Sequence, residues 1–420
     1  MKQLALVCLL AFTQSSFGQE QNHRSIALTN GMWFNGQEFV PKTMYSVDGY
    51  FTTQKPSTID TTIDLTGKYV IPPFGEAHNH NLNGGNEANR DNIKRYLRDG
   101  VFYVKLQSNF PITDEEKREL RLNTPYSIDV TMAQGASLCT TGGHPYGLGQ
   151  AVWLRFGYAK GPYANGPIEA LNGHRFYTID NDADLEEKWP KILEQRPDFI
   201  KATLWHTDEF EKRRNDTAYF GQYGLREDLF RKIVAKAHQA DMKVSTHINN
   251  AYDFHVAADA GVDEICHLPV TGLTPIDVED LRLAVSRGIV VITTCKVVSM
   301  ARAELLPGEQ KRIALEMQRI NLERVREHGV TLAIGSDLVN DSSVEEIEYL
   351  RSLNIFSNLE LLKMWTEVTA KAIFPDRKIG ILDEGYEASF IALEENPLDG
   401  FGNTRKIALR FKQGRALEDY

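Results

Sequence analysis

Cysteine is scarce in this chain, with four among 420 residues. Cys8 lies in a leader-like segment, and Cys139, Cys266 and Cys295 are odd in number and unpaired in spacing, so no disulfide framework is implied. Positive charge is short too: 47 Lys and Arg stand against 57 Asp and Glu, a net charge of −10. Without an overall basic field to attract a polyphosphate backbone, nucleic-acid binding is not expected. Long apolar runs are also missing. The stretch from Leu4 to Phe12 is too short to span a bilayer. With Lys2 before it and Ser16-Phe17-Gly18 after it, it predicts a signal peptide over 1–18, cut before Gln19, and so a secreted or periplasmic protein. Val7 rather than a small residue precedes Cys8, so no membrane anchor is expected.

What remains is ordinary globular sequence, 42% hydrophobic and 25% charged, which excludes a disordered or collagen-like chain. Short apolar runs alternate with longer amphipathic stretches. Strands are predicted near 68–74, 101–106, 128–133, 198–204, 243–247, 262–267, 289–294 and 330–336. Helical periods lie between most of them, for example Glu227 to Ala240 and Glu309 to His328. Eight β/α units in series predict an α/β fold, a (β/α)8 TIM-type barrel over 68–382. The alternative, an open doubly wound sheet, would carry a Gly-rich phosphate turn after its first strand, where GEAHNH stands instead. The flanking segments 19–67 and 383–420 read as short strands with turns, each too small for its own core. They are expected to pair into one small β-sandwich. An insertion from Gly135 to Asp184, rich in Gly, Pro, Tyr and Asn, is either a pocket-building loop or a structural excursion.

The polar residues at the strand ends carry the chemistry. His78 and His80 are one residue apart, so a period of two aims both imidazoles at one face. Alone this pair is weak evidence for a metal. Lys201 on the fourth strand, His247 and His267 ending the fifth and sixth, and Asp337 after the eighth all fall at the carboxyl-terminal face, where barrel enzymes place catalysis. An ammonium cannot ligate a metal, but a lysine that has added carbon dioxide is a carbamate whose two oxygens can bridge two cations. Four imidazoles, a carbamate and a carboxylate suit two divalent ions, zinc first, with manganese, cobalt or iron compatible. Two metals sharing a water would lower its pKa toward neutrality so that hydroxide can attack a carbonyl, and Asp337 is the natural carrier of the proton. His144 after two glycines, His206 beside the fourth strand, and Tyr219 and Tyr223 in the same loop are candidate substrate contacts, each weighed against an ordinary turn or solvated loop residue.

These motifs resemble the amidohydrolase superfamily of metal-dependent hydrolases. KYVIPPFGEAHNH looks like its opening signature, and FIKATL, VSTHI, EICHLP and IGSDL look like the later ligand segments in the same order. The tail RKIGILDEGYEASFIALEENPLDGF resembles the family's return from barrel to sandwich. Pro73, Gly75, Asn79 and Ser389 depart from the usual pattern without removing a ligand. Single-metal deaminases carry a Glu three residues after the fifth-strand His; here Asn250 stands there. The chain is most similar to the branch of imidazolonepropionase-like proteins and Xaa-Pro dipeptidases, which implies cleavage of a carbon–nitrogen bond in a small substrate such as a dipeptide or N-acyl amino acid. A cyclic amide or lactone substrate, or a non-catalytic metal-containing binding role, stays open, as do metal identity and homo-oligomerisation.

Overall fold

The computed structural model describes residues 24–82, 86–146, 168–301, 306–338 and 340–417. The leader-like segment 1–18 and the middle of the insertion lie outside these. No helix among the described residues is long and apolar enough to cross a membrane.

Five strands precede the barrel: β1 (Ser25–Phe34), β2 (Phe39–Val47), β3 (Tyr50–Thr52), β4 (Thr61–Asp64) and β5 (Tyr69–Ile71). The barrel begins at β6 (Phe74–Asn79), followed by β7 (Val101–Leu106), β8 (Asp129–Met132), β9 (Ser137–Cys139), β10 (Tyr177–Thr178), β11 (Ile200–Thr203), β12 (Val244–His247), β13 (Glu264–Cys266), β14 (Val290–Ile292) and β15 (Thr331–Ala333). Its strands pair in parallel, in the runs β6-β7-β8 and β9-β11-β12-β13-β14-β15, with β10 added beside β9. Closure comes where Ala77 N donates to Ile334 O at 2.8 Å and Asp337 N to His78 O at 2.8 Å, joining the last strand to the first. At the other seam Lys201 N donates to Ala136 O at 2.9 Å and Asp198 N to Met132 O at 2.9 Å. The helices Glu227–Gln239 and Gly308–Glu327 stand where the helical periods place them, burying Leu229, Ile233, Val234 and Ala237 in one case and Leu322 and Val325 in the other.

The stretch expected as one first strand divides. Tyr69–Ile71 belongs to the terminal sheet, and only after Pro72-Pro73 does the chain enter the barrel. Two consecutive prolines lack the N–H groups a continuous strand would need, so the ladder changes partner there. The terminal strands β16 (Phe390–Leu393), β17 (Ile407–Lys412) and β18 (Arg415–Leu417) do pair with the amino-terminal ones: Ile391, Ala392 and Leu393 lie opposite Ile71, Val70 and Tyr69. The result is one mixed eight-stranded sheet rather than two separate ones. It curls on itself. β3 and β16 are four strand steps apart, about 19 Å in a flat sheet, yet the Phe51 and Phe390 rings lie 6.3 Å apart, with Trp33 against both.

A buried ionic network joins this sheet to the barrel. Lys412 Nζ on β17 reaches Asp129 Oδ1 on β8 at 2.7 Å and the Thr124 carbonyl at 2.6 Å, while Arg377 bridges Asp129 at 2.8 Å and Glu387 at 2.6 Å. Asp129 and Lys412 are fully buried, so neither charge has water to fall back on. Truncating Lys412→Ala is expected to cost about 3–5 kcal/mol of stability, because it strips a partner from a buried carboxylate. Chemical denaturation of the variant beside the parent measures this.

Candidate metal centre

Period-two alternation explains only part of how the site is built. Paired residues in neighbouring strands face the same side: Lys201 is level with Ser245, and His247 with Cys266. Lys201, Ser245, His247 and Cys266 thus share the barrel interior. Continued alternation would turn His267, next to Cys266, outward. Instead His267 has φ +75° and Asp337 φ +54°, left-handed conformations uncommon for residues with a Cβ. Each bends the chain at a strand end and brings its side chain to the cluster; strain of this kind concentrates at functional sites.

The ligand atoms crowd together. His78 Nε2 lies 3.3 Å from His80 Nε2 and 3.7 Å from Asp337 Oδ1, and His80 Nε2 lies 3.2 Å from the same oxygen. Ligand atoms of His78, His267 and Asp337 all fall within 4.8 Å of one another. The His247 and His267 rings are 4.3 Å apart, and those of His78 and His267 4.8 Å. Lys201, 4% exposed, sends Nζ to Cys266 Sγ at 2.9 Å.

This donor set fits divalent ions. Two imidazole nitrogens 3.3 Å apart either share one proton, as donor and acceptor, or both turn their lone pairs to a common cation. The buried nitrogens His78 Nδ1, His144 Nδ1 and His247 Nε2 have no hydrogen-bond partner among the described residues. Other ring nitrogens are fixed from behind, as ligating histidines require: His80 Nδ1 donates to Ser108 O at 3.0 Å, and His267 Nδ1 meets Thr294 Oγ1 at 2.6 Å. Burial and neighbouring cationic groups hold His78 and His247 well below the usual imidazole range. Burial also pulls His267 down to about 3 and His144 to about 4, with Asp337 opposing. Neutral imidazole is the ligating form. Burial raises the Asp337 carboxyl, but the hydrogen bond with His80 and the proximity of His80, His267 and Lys201 together outweigh it, so the group stays below its ordinary value.

Glu76 supports this arrangement from behind, a role its place in GEAHNH did not reveal. Its fully buried carboxylate accepts Ser336 N at 2.8 Å, Ser336 Oγ at 2.6 Å and His78 N at 3.1 Å, tying the first ligand strand to the turn that carries Asp337. Burial pushes its pKa up to about 8, against these hydrogen bonds. Asn79 Nδ2 adds bonds to Ser336 Oγ and Leu338 O, both at 3.0 Å.

The four candidate substrate residues separate. His144 joins the cluster, its ring 4.8 Å from His247 and 4.5 Å from Trp205, which stacks on His247. His206 stands one layer back, its ring nitrogens 3.2 Å from Asn250 Nδ2 and 3.3 Å from Thr271 Oγ1. The Tyr223 hydroxyl donates to Thr141 O at 3.0 Å and its carbonyl accepts His144 N at 2.8 Å, so this residue clamps the loop that carries His144. Tyr219 lies under the Arg213 guanidinium at 4.7 Å.

Gly335 lets the two ends of the barrel meet at the site. A Cβ there would stand 2.6 Å from His78 Cβ and 2.6 Å from Ile292 Cγ2. Gly335→Ala is therefore expected to push His78 out of place, costing about 1–3 kcal/mol of stability and weakening metal retention. Elemental analysis after dialysis, with circular dichroism to confirm folding, tests this.

A model of the amidohydrolase family matches residues 164–417. Among curated proteins, the ochratoxinase of Aspergillus niger is 27% identical over 194 residues, 44% of this chain and 39% of that protein, well under two thirds of its length. The crystal structure of A. niger ochratoxinase superposes with a TM-score of 0.74 at 17% identity, covering 94% of this chain and 95% of that one. A Xaa-Pro dipeptidase with methionine in its active site gives 0.70 at 17% identity, covering 94% of this chain and 100% of that one. A prolidase complexed with N-methylphosphonate-L-proline gives 0.71 at 19%, with the same coverage. At these identities the likeness establishes the fold.

Proposed function

From the premise that this chain belongs to the amidohydrolase family, we propose that it is a binuclear metal-dependent hydrolase of a carbon–nitrogen bond in a small amide, such as a dipeptide or N-acyl amino acid. The observation that carries this reading is the clustering of His78, His80, His267 and Asp337, with His247 against His267 and the buried Lys201 as an electrostatic neighbour, at one end of the barrel. That a prolidase and a Xaa-Pro dipeptidase are among the similar structures supports the amide class. The leader-like residues 1–18 support an exported enzyme.

His78, His80, His247, His267 and Asp337 would hold the ions, and Lys201, as its carbamate, would bridge them. The carbamate forms when the amine lone pair bonds to the carbon of CO2, one C=O pair becomes charge on oxygen, and an Nζ proton leaves to solvent. Zinc suits these borderline nitrogen and oxygen donors. Bound divalent ions supply Lewis acidity, which polarises a substrate carbonyl and acidifies water.

The protein's own groups do the rest. Asp337, held 3.2 Å from His80, accepts a proton from the attacking water and returns it to the departing nitrogen, without which an amide nitrogen leaves poorly. His144, packed against both Trp205 and His247, would hold a substrate oxygen. The Trp205 ring walls the site beside His247.

Free-amine release from a panel of Xaa-Pro and other dipeptides and N-acyl amino acids tests the proposal. The metal-loaded parent should release amine, and Asp337→Asn should remain folded, hold metal less well and turn over about a hundredfold to ten-thousandfold more slowly. Parental rates from that variant would contradict the assigned role. Lys201→Ala should lower metal content, with partial recovery on adding short carboxylic acids; unchanged metal content would leave Lys201 a structural lysine.

A further inference from the structure

A second buried polar thread lies beneath the ligands. Lys201 Nζ donates to Cys266 Sγ at 2.9 Å, and Cys266 Sγ lies 3.1 Å from Ser245 Oγ. Ser245 Oγ donates to Gln107 Oε1 at 2.9 Å, and Gln107 Nε2 donates to Ala77 O at 3.0 Å, one residue before His78. The thread therefore runs through β11, β13, β12 and the end of β7 to the first ligand strand. Gln107, Ser245 and Cys266 are at most 1% exposed. Apolar side chains would fill this space without needing partners, so a run of matched polar groups calls for a reason.

We propose that Cys266, backed by Ser245 and Gln107, is a positioning residue that holds the head of Lys201 beneath the histidines, where its carbamate can bridge the two ions. This rests on the binuclear, carboxylated-lysine reading given above. A lysine has a long flexible stem, and its amine must be held for the carbamate oxygens to reach both metal positions. Sulfur is a weak acceptor, so it fixes the head without committing it to an ion pair. The contrast lies in the same barrel: Lys105 on β7 meets the carboxylate of Glu264 at 2.7 Å and is committed to it. Cys266 is two residues further along the strand that carries Glu264 and faces the same interior, but offers a thiol where Glu264 offers a charge.

Three variants, Cys266→Ala, Cys266→Ser and Ser245→Ala, would be stripped and reloaded with zinc in 13C-labelled bicarbonate beside the parent. Zinc per chain, the carbamate carbon signal by NMR and the melting temperature of the stripped protein would be read together. The parent should hold about two ions per chain and show the signal. Cys266→Ala should lose about half its zinc and most of the signal while the stripped protein melts near the parent, and Cys266→Ser, which keeps a polar head, should recover much of both. Ser245→Ala, with the thiol intact, should fall between and serves if Cys266→Ala does not fold. Parental zinc and carbamate in Cys266→Ala overturn the inference, as does a serine variant no better than the alanine one. A parent with no carbamate signal contradicts the carboxylated-lysine reading itself, and the inference falls with it.

Discussion

Crowding at the barrel mouth is the constraint on which the rest of this structure depends. Imidazole lone pairs and a carboxylate are brought within hydrogen-bond distance of one another in a place where burial penalises charge. Such a cluster is costly unless something positive occupies it. Divalent cations would meet that demand, and the strained backbone at His267 and Asp337 makes sense as the means of gathering side chains that ordinary strand alternation would scatter.

Everything behind these candidate ligands limits their freedom to spread apart. Glu76 and Asn79 fasten the first ligand strand to the turn bearing Asp337, Thr294 and Ser108 fix the rings of His267 and His80, and Gly335 allows the first and last strands to approach. The curled terminal sheet acts at greater range. Its Lys412–Asp129–Arg377 network grips the barrel through β8, and through β5 the sheet sets the point at which the chain enters β6. The site is thus held by hydrogen bonds at its rim and by ion pairs at the outer wall.

Much of this was legible in the sequence because barrel strands are short apolar runs with abrupt polar ends. Lys201, His247 and Asp337 could be placed from that pattern alone, and the histidine pair at 78 and 80 follows from a period of two. The division at Pro72-Pro73 was hidden because VIPPF is apolar throughout, and sheet membership depends on partners more than three hundred residues away. His267 was found by its strand end, but its inward turn requires a left-handed conformation that histidine seldom adopts. Tyr223 and His206 lie beside the right strand, yet their partners Thr141, Asn250 and Thr271 come from loops whose meeting no local pattern announces. Nothing local sets Cys266 apart from a buried core thiol, and only the fold shows the lysine against it.

The central claim is that this cluster holds two divalent ions bridged through Lys201. Anomalous scattering from crystals of zinc-loaded protein, recorded at the zinc edge, tests it most directly. The account predicts two peaks within the cluster of His78, His80, His247, His267 and Asp337, with added density on the head of Lys201. A single peak, or two peaks away from Lys201 with its side chain unmodified, would contradict it.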